Sequence, residues 1–237
     1  MTRARHRGLW RGLVGAWYPM LGVTGATLID CGPYRGDGTT SNTTWQTGAL
    51  SFNGSTAIVN MGDTNQARIA AGAITIAAVC TPTGYGGGNF GRIYSREAAS
   101  NGLNVFTQAT NSCVGFAFAG ATVTSQTNSL ALNTRTTVIV TQYGTAVTFY
   151  INGTIAGTAT GGTSASTGAG AAYIGNRAGL ARGFVGTIEC VLLWSRSLSQ
   201  AECNIVYADP FAPLRCRDMP VFDAGSSLRR KLLTGSD

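Results

Sequence analysis

Paired carboxylates are the first chemistry that the sequence can be searched for, because two carboxyl groups held about 5 Å apart, or somewhat further, hydrolyse glycosidic bonds. The chain has ten Asp and Glu residues, and none lies within three positions of another on a predicted strand. Glu189 and Glu202 fall on different predicted elements. The sequence therefore predicts no catalytic carboxylate pair, and we expect the protein not to be an enzyme.

Histidine chemistry is equally limited, since the chain has a single histidine. His6 lies in an arginine-rich N-terminal stretch, whereas a Ser-His-Asp or Cys-His arrangement would need it beside a nucleophile within the fold. The cysteines form no Cys-x-x-Cys pair, so a zinc site of Cys and His ligands is not expected. The glycine-rich stretches 84–89 and 157–171 lack the pattern of a phosphate-binding loop, and we interpret both as flexible connections. We predict no catalytic residue, no metal site and no cofactor.

The cysteines are more easily explained as packing residues. Six cysteines could pair in 15 ways, and their spacing does not choose among these pairings. A chain of 237 residues can bury a large core without disulfides, and a free cysteine behaves as a small apolar side chain. We expect buried free thiols at Cys31, Cys80, Cys113, Cys190, Cys203 and Cys216.

The net charge of +7 is concentrated at the two ends of the chain. Of 17 Lys and Arg residues, four lie in residues 1–11 and five in residues 215–231, while the residues between are close to neutral. Guanidinium groups form bidentate pairs with carboxylates, and large apolar side chains among them are typical interface anchors. The alternative is that both ends are solvated tails. We expect the N-terminal arm to bind a partner chain through Arg3, Arg5, Arg7, Leu9, Trp10 and Arg11.

Short apolar runs separated by Gly, Asn, Thr and Ser recur along the chain, which is typical of a β-sandwich. Asn152-Gly153, between two alternating runs, is the strongest local signal, since both residues of a two-residue type I′ turn need positive φ. Ser199 and Glu202 have the spacing of a capping box and predict a short helix that ends before Pro210. The predicted strands are 13–18, 49–52, 56–61, 73–80, 91–95, 102–107, 113–119, 135–142, 146–151, 154–159, 171–175 and 184–194.

The predicted fold class is therefore all-β, an antiparallel β-sandwich (jelly roll) of about twelve strands with one short C-terminal helix. We divide the chain into a basic N-terminal arm (1–11), a sandwich domain (12–207) and a basic C-terminal tail (208–237). No stretch approaches 18 consecutive apolar residues, so we expect no membrane span. Residues 1–21 lack the long apolar core and the cleavage site of a signal peptide.

Several stretches, in order, resemble the laminin G-like, concanavalin A-type jelly-roll family. They match its opening strand (Gly-Leu-Val-x-x-Trp), its Ala-Leu-x-Phe-Asn-Gly signature, its closing half, and its final strand with a short helix. In this chain these are residues 12–17, 49–54 with 58–59, 149–153 with 173–175 and 184–189, and 193–202. The resemblance covers about residues 12–207. It implies a jelly roll whose relatives often bind carbohydrate and in some cases calcium.

Calcium would need several oxygen ligands, usually with at least two carboxylates. The candidates next to predicted strands are Asp63 and Glu189, and Glu189 matches a position where the family often has an acidic residue. A lone carboxylate on a strand is more often part of a structural hydrogen-bond network. We therefore expect no calcium site.

The two ends narrow the resemblance further, because they are similar to those of jelly-roll proteins from tailed bacteriophages. The similar segments are Arg-Gly-Leu-Trp-Arg-Gly-Leu-Val at 7–14 and Tyr-Ala-Asp-Pro-Phe at 207–211. This resemblance implies a non-catalytic structural protein of a phage virion, a capsid decoration or fibre-like surface subunit that is anchored by its arms. We then expect other virion proteins as partners, the major capsid protein among them, together with a homo-oligomer. The expected location is the virion, assembled in the host cytoplasm, with no membrane and no specific nucleic acid as partner.

The alternative hypothesis is a free carbohydrate-binding, lectin-like module, with a cell-surface glycan as its partner. A module needs no arms, whereas an assembly subunit does. Aromatic side chains stack on sugars, although in a sandwich they more often fill the core; the candidates are Trp10, Trp45, Tyr85 and Tyr143.

Overall fold

The computed structural model of the chain describes residues 6–63, 72–96, 102–118, 120–162 and 170–216. These residues form sixteen strands, two α-helices and several short 3₁₀ turns. The strands are β1 Leu13–Trp17, β2 Thr27–Leu28, β3 Gly38–Ser41, β4 Thr44–Gln46, β5 Ala49–Asn53, β6 Ile58–Gly62, β7 Ala73–Pro82, β8 Arg92–Arg96, β9 Leu103–Gln108, β10 Cys113–Phe118, β11 Ala121–Thr124, β12 Thr136–Tyr143, β13 Ala146–Ile151, β14 Thr154–Thr160, β15 Ala172–Ile174 and β16 Val185–Trp194. The helices are α1 Arg7–Trp10 and α2 Gln200–Ala208.

The strands form two eight-stranded sheets that pack face to face around the main core. Sheet A has the order β14-β13-β12-β7-β16-β5-β4, with β1 also paired to β16, and sheet B has the order β11-β10-β9-β8-β15-β6-β3-β2. Neighbouring strands in both sheets run antiparallel. One large cluster of buried apolar side chains lies between the inner faces, among them Leu50, Ile76, Phe116, Val140 and Ile174. The predicted all-β antiparallel sandwich is confirmed.

Each of the twelve predicted strands is present, but the structure adds four that the sequence did not predict. These are β2, β3, β4 and β11, which lie at or next to the ends of the two sheets. Their residues are mostly exposed or half-buried. A strand at the edge of a sheet needs little apolar surface, so a search for apolar runs misses it.

The hairpin at Asn152-Gly153 is confirmed. Strands β13 and β14 flank the two turn residues directly, and φ is 50° at Asn152 and 79° at Gly153, as a type I′ turn requires. The side chain of Asn152 also accepts a hydrogen bond from the backbone N–H of Thr137 at 2.8 Å. The amide is therefore used to fix the hairpin against β12.

Helix α2 begins where the sequence predicts. The Ser199 side chain accepts from the backbone N–H of Glu202, and the Glu202 carboxylate accepts from the backbone N–H of Ser199, which completes the capping box. Leu198 and Cys203 are buried beside it. The helix therefore lies with one side against the sheet.

The outer face of sheet A is covered by a second core. Helices α1 and α2 and the 3₁₀ turn at Ala212–Cys216 pack there against side chains from β7, β12, β13 and β16. The indole N–H of Trp194 donates to the backbone carbonyl of Leu9 at 2.7 Å, and the ring of Tyr18 stacks on Phe211 with centroids 5.1 Å apart. Both ends of the described chain therefore help to close this face.

None of the described helices has the length and apolar composition that crossing a membrane requires. The glycine-rich stretch 84–89, which we expected to be a flexible connection, is instead packed tightly. A Cβ on Gly86 would lie 2.2 Å from the carbonyl oxygen of Gly183. Two backbones can approach this closely only where glycine removes the side chain. Part of the other expected loop, 157–171, belongs to β14, and residues 163–169 lie outside the described residues.

Candidate functional site

The residues predicted to bind a partner chain are only partly within the described part of the structure. Arg3 and Arg5 lie outside the described residues, and Arg7 begins α1. Leu9 is only 1% exposed, because it packs in the second core of its own chain. Trp10 is half-buried against the same core, and Arg11 is exposed. Binding of a partner through this arm stays a prediction, and Leu9 is not accessible to one in this structure.

The carboxylates considered for catalysis are each held by a different arginine. Glu189 accepts three hydrogen bonds from the guanidinium of Arg135, at 2.8–3.0 Å. Glu202 forms a bidentate pair with Arg196 at 2.7 and 2.9 Å, and these hydrogen bonds lower the pKa of the Glu202 carboxyl below its ordinary value. A general acid needs a raised pKa, so the position of Glu202 suits a structural role.

Asp30 is fully buried and organises a loop. Its carboxylate accepts from the backbone N–H groups of Ala16, Gly32 and Gly36 at 2.7–2.8 Å. Among the described residues, no three His, Cys, Asp or Glu side chains come close enough together to hold a metal ion. Asp63, the other calcium candidate, is exposed.

Five of the cysteines are free thiols, and all of these except the half-buried Cys31 are buried, as predicted. Burial raises the pKa of the Cys80 thiol and of the Cys190 thiol to about 12. These two thiols therefore stay protonated at neutral pH and are poor nucleophiles. The side chain of Cys216 lies outside what the structure describes.

The outer face of sheet B differs from the covered face of sheet A. Its strands pair so that one residue from each of seven neighbouring strands falls in a single line across the face. Alternate residues of a strand point to opposite faces, and the residues on both sides of Asn60, Tyr173, Asn104 and Ala117 belong to the main core. With strands about 4.8 Å apart, the line spans roughly 30 Å. This cross-strand row consists of Thr39, Asn60, Tyr173, Ser95, Asn104, Ala117 and Thr122.

The chemistry of the cross-strand row is an aromatic ring among hydroxyls and amides. Tyr173 is half-buried at its centre, between exposed Asn60 and buried Ser95. The Ser95 hydroxyl donates to the carboxamide oxygen of Asn104 at 2.7 Å, which orients that amide with its N–H groups directed away from Ser95. An aromatic face with fixed hydrogen-bonding groups beside it is the usual composition of a small-ligand site.

An arginine-rich rim adjoins the cross-strand row, and we define it as Phe90, Arg92, Phe106 and Arg182. The guanidinium of Arg92 lies over the ring of Phe106 at 4.4 Å, and that of Arg182 lies over the ring of Phe90 at 4.9 Å. The two rings meet edge to face, with centroids 5.8 Å apart. The Phe106 ring lies across Gly115, where a Cβ would be 2.2 Å from it. The rim is therefore an alternating set of rings and guanidinium groups.

A buried amide positions one side of the rim. Asn176 is fully buried, and its carboxamide oxygen accepts from the backbone N–H groups of Arg177 and Arg182 at 3.0 and 3.3 Å. Its N–H groups donate to the carbonyls of Ser55 and Ala57 at 2.7 and 3.3 Å. One side chain thus holds two loops together, and the Arg182 backbone is fixed relative to the sheet.

The glycine-rich loop positions the other side of the rim. Gly87 N–H donates to the Gly183 carbonyl at 2.8 Å, and Arg92 N–H donates to the Arg182 carbonyl at 2.8 Å. The Arg182 guanidinium donates in turn to the Gly88 carbonyl at 3.0 Å. The rim is therefore built on two loops that are bonded to each other.

The aromatics that the sequence singled out lie elsewhere. Trp45 and Tyr85 are half-buried against the main core, and Trp45 donates its indole N–H to the Gly25 carbonyl at 2.8 Å. Tyr143 is 74% exposed at the end of β12, in sheet A. Tyr173 and the rim were missed, because their grouping depends on the register between strands far apart in the sequence.

A family model matches residues 53–204, which is more than half of the chain; it is that of the concanavalin A-like lectin/glucanases superfamily, in its laminin G type. No curated protein matches the chain. The match begins at the Asn-Gly of β5 and ends within α2, so it contains most of both sheets.

Solved structures with a similar fold include a mutant of Trypanosoma rangeli sialidase displaying trans-sialidase activity, with a TM-score of 0.65 and 17% identity over 85% of this chain and 33% of that one. Domain 4 of AbnA, an extracellular arabinanase from Geobacillus stearothermophilus in complex with arabinotriose, has a TM-score of 0.65 and 12% identity over 82% of this chain and 98% of that one. Botulinum neurotoxin type C has a TM-score of 0.62 and 10% identity over 85% of this chain and 52% of that one. The chain spans about a third of the length of the sialidases it matches. At these identities the likeness shows the fold alone.

Proposed function

The chain belongs to the concanavalin A-like lectin/glucanases superfamily, and from this premise we propose that it is a non-catalytic carbohydrate-binding protein. We assign glycan binding to the outer face of sheet B, along the cross-strand row centred on Tyr173. The observation that carries the proposal is the row itself, in which one tyrosine ring is flanked by hydroxyls and amides across seven strands. A sugar ring offers an apolar face and many hydroxyls, so it is matched by an aromatic face with amide donors and acceptors beside it.

Two further observations support this assignment. The outer face of sheet A is closed by the second core, whereas no described α-helix packs on the outer face of sheet B. The amide of Asn104 is oriented in advance by Ser95, and a group that is fixed before binding loses less entropy when the ligand arrives. The face is thus accessible at both ends of the row, at Thr39 and Thr122, which are exposed.

The absence of catalysis is part of the proposal. Hydrolysis of a glycosidic bond needs two carboxyl groups on opposite sides of that bond, and the cross-strand row and the rim contain none. Glu189 and Glu202 are each paired with an arginine. The names of the similar structures agree with glycan binding on this fold, since the arabinanase domain was solved with arabinotriose and the neurotoxin depends on gangliosides for cell entry.

The direct test compares Tyr173→Ala with Tyr143→Ala on a glycan array, followed by calorimetry with the best ligand. Tyr143 is a matched control, because it is an exposed tyrosine of sheet A away from the row. We expect Tyr173→Ala to weaken binding at least tenfold, which corresponds to about 1.4 kcal/mol, and Tyr143→Ala to bind as the unaltered protein does. Equal loss in both variants, or binding to no glycan by the unaltered protein, would overturn the assignment.

A role as a surface subunit of a phage virion is the more specific proposal, and what favours it is the uneven charge of the sequence, with four arginines in residues 1–11. Deleting this arm would also remove Leu9 from the second core and destabilise the domain. The sharper experiment replaces Arg3 and Arg5 by Gln and measures incorporation into particles, with Arg35→Gln as the control. Incorporation of the double variant at the level of the control would exclude these two arginines as the anchor.

A further inference from the structure

We propose that the arginine-rich rim makes the protein selective for saccharides that carry a carboxylate. This inference rests on the proposed function, because the rim adjoins the cross-strand row. Phe106 follows Asn104 by two residues on β9, so the rim lies about 7 Å from the row on the same face. A saccharide bound along the row would place a neighbouring substituent over the rim.

Arg182 is arranged differently from three other described arginines, which contact carboxylates. Arg135, Arg196 and Arg215 each form an ion pair with a carboxylate of their own chain. The guanidinium of Arg182 instead stacks on Phe90 and uses one N–H group to bind the Gly88 carbonyl. That contact occupies one of its five N–H donors, and its planar fork matches a carboxylate bidentately.

The rim is also preorganised. Each guanidinium is placed on an aromatic ring, and the two loops that carry them are bonded to each other through Gly87 and Gly183 and through the backbones of Arg92 and Arg182. The stacking restricts a long side chain that would otherwise lose rotamer freedom on binding. Because the Arg182 guanidinium is held in a defined position, it favours a planar anion at that position over anions attracted only by charge.

Arg182 brings a positive charge to the rim, and its printed contacts are a carbonyl and an aromatic ring. Arg177 lies in the loop that carries Arg182, next to Asn176. A carboxylate on a sugar is ionised at neutral pH, so its charge is opposite to that of Arg182 under ordinary conditions.

The experiment uses matched ligands that differ only in charge. Oligogalacturonate, sialyllactose and hyaluronan fragments are each compared with their methyl esters, which keep the sugar and remove the negative charge. A carrageenan oligosaccharide, which carries sulfate and no carboxylate, tests sulfate. We expect the unaltered protein to bind at least one acid about tenfold more tightly than its ester, with a preference that falls as salt is raised. We expect less preference for sulfate, which lacks the planar geometry.

Arg182→Gln should reduce the affinity for that acid to the level of its ester while the affinity for the ester stays unchanged. Arg182→Lys should restore only part of the preference, because it keeps the charge and loses the fork. Arg11→Gln is the control, since it removes the same charge from the outer side of sheet A. Equal affinity for every acid and its ester, or an unchanged preference in Arg182→Gln, would overturn the inference while leaving glycan binding intact. A protein that binds neither form would overturn both proposals.

Discussion

The two outer faces of the sandwich are built from the same chain and differ in their chemistry. The outer face of sheet A is apolar and is closed by α1, α2 and the turn at Ala212–Cys216. The outer face of sheet B carries a row of hydroxyls, amides and one tyrosine, with the arginine-rich rim beside it. The comparison shows that the face used for packing is mainly apolar, whereas the other face keeps polar side chains, which are exposed at Thr39, Asn60 and Thr122 and buried at Ser95.

The difference is already present in the strands. Residues of β7, of β12 and of the second half of β16 are buried almost without interruption, because both faces of these segments are covered. Strand β6 alternates instead, with buried Val59 and Met61 beside exposed Asn60. This contrast holds for β6, whereas β8 and β10 of sheet B are buried along most of their length.

The largest effect should come from the covered face. We expect Trp194→Ala to lower the free energy of unfolding by about 3–5 kcal/mol, because it removes a fully buried indole and the bond to the Leu9 carbonyl. Urea denaturation measures this change. Trp45→Ala is the control, since Trp45 is a half-buried tryptophan on the edge strand of the same sheet and should cost less than half as much. Equal losses would mean that the second core adds little to stability.

A smaller effect should come from the loop that carries the rim. Asn176→Ala leaves backbone groups of both connected loops without their partners, and we expect a loss of about 2–3 kcal/mol. Binding of a carboxylated saccharide should weaken more than binding of its ester, since Arg182 loses its backbone support. Asn60→Ala, an exposed amide in the row, should change stability by no more than about 0.5 kcal/mol. If Asn176→Ala were as stable as Asn60→Ala, the loops would be held by backbone contacts alone.

The sequence predicts the elements fixed by local signals well and the outer face of sheet B poorly. The hairpin at Asn152-Gly153 and the cap at Ser199 are set by residues next to each other in the chain, so local rules find them. Edge strands such as β3 have too little apolar surface to be recognised. Tyr173 and Asn104 meet only because β15, β8 and β9 pair in one register, and no spacing in the sequence encodes that pairing.

The covered face should also carry a dependence on pH. Arg196 lowers the pKa of the Glu202 carboxyl and donates as well to the carbonyls of Gly8 and Arg11. A carboxyl whose pKa is lowered in the folded state stabilises the fold above its unfolded pKa, and this contribution is lost as pH falls through the folded value. We expect a loss of about 0.5–1 kcal/mol below about pH 4.3, since the pair is partly exposed. The free energy of unfolding of Glu202→Gln should not show this loss at low pH. The same dependence of unfolding on pH in both proteins would contradict the prediction.

The smallest effect on stability should come from the centre of the cross-strand row. Tyr173 is half-buried and contributes to no core cluster, so its removal costs only its contacts with neighbours on the same face, about 0.5 kcal/mol. Thermal unfolding of Tyr173→Ala should therefore follow that of the unaltered protein closely, while its affinity for glycan falls. Tyr173→Phe distinguishes the contribution of the ring to binding from that of the hydroxyl, because it keeps stacking on a sugar and removes any hydrogen bond from the phenol. A loss of stability approaching that of Trp194→Ala would place Tyr173 among the packing residues, and the contrast between the two faces would then no longer identify the ligand-binding side.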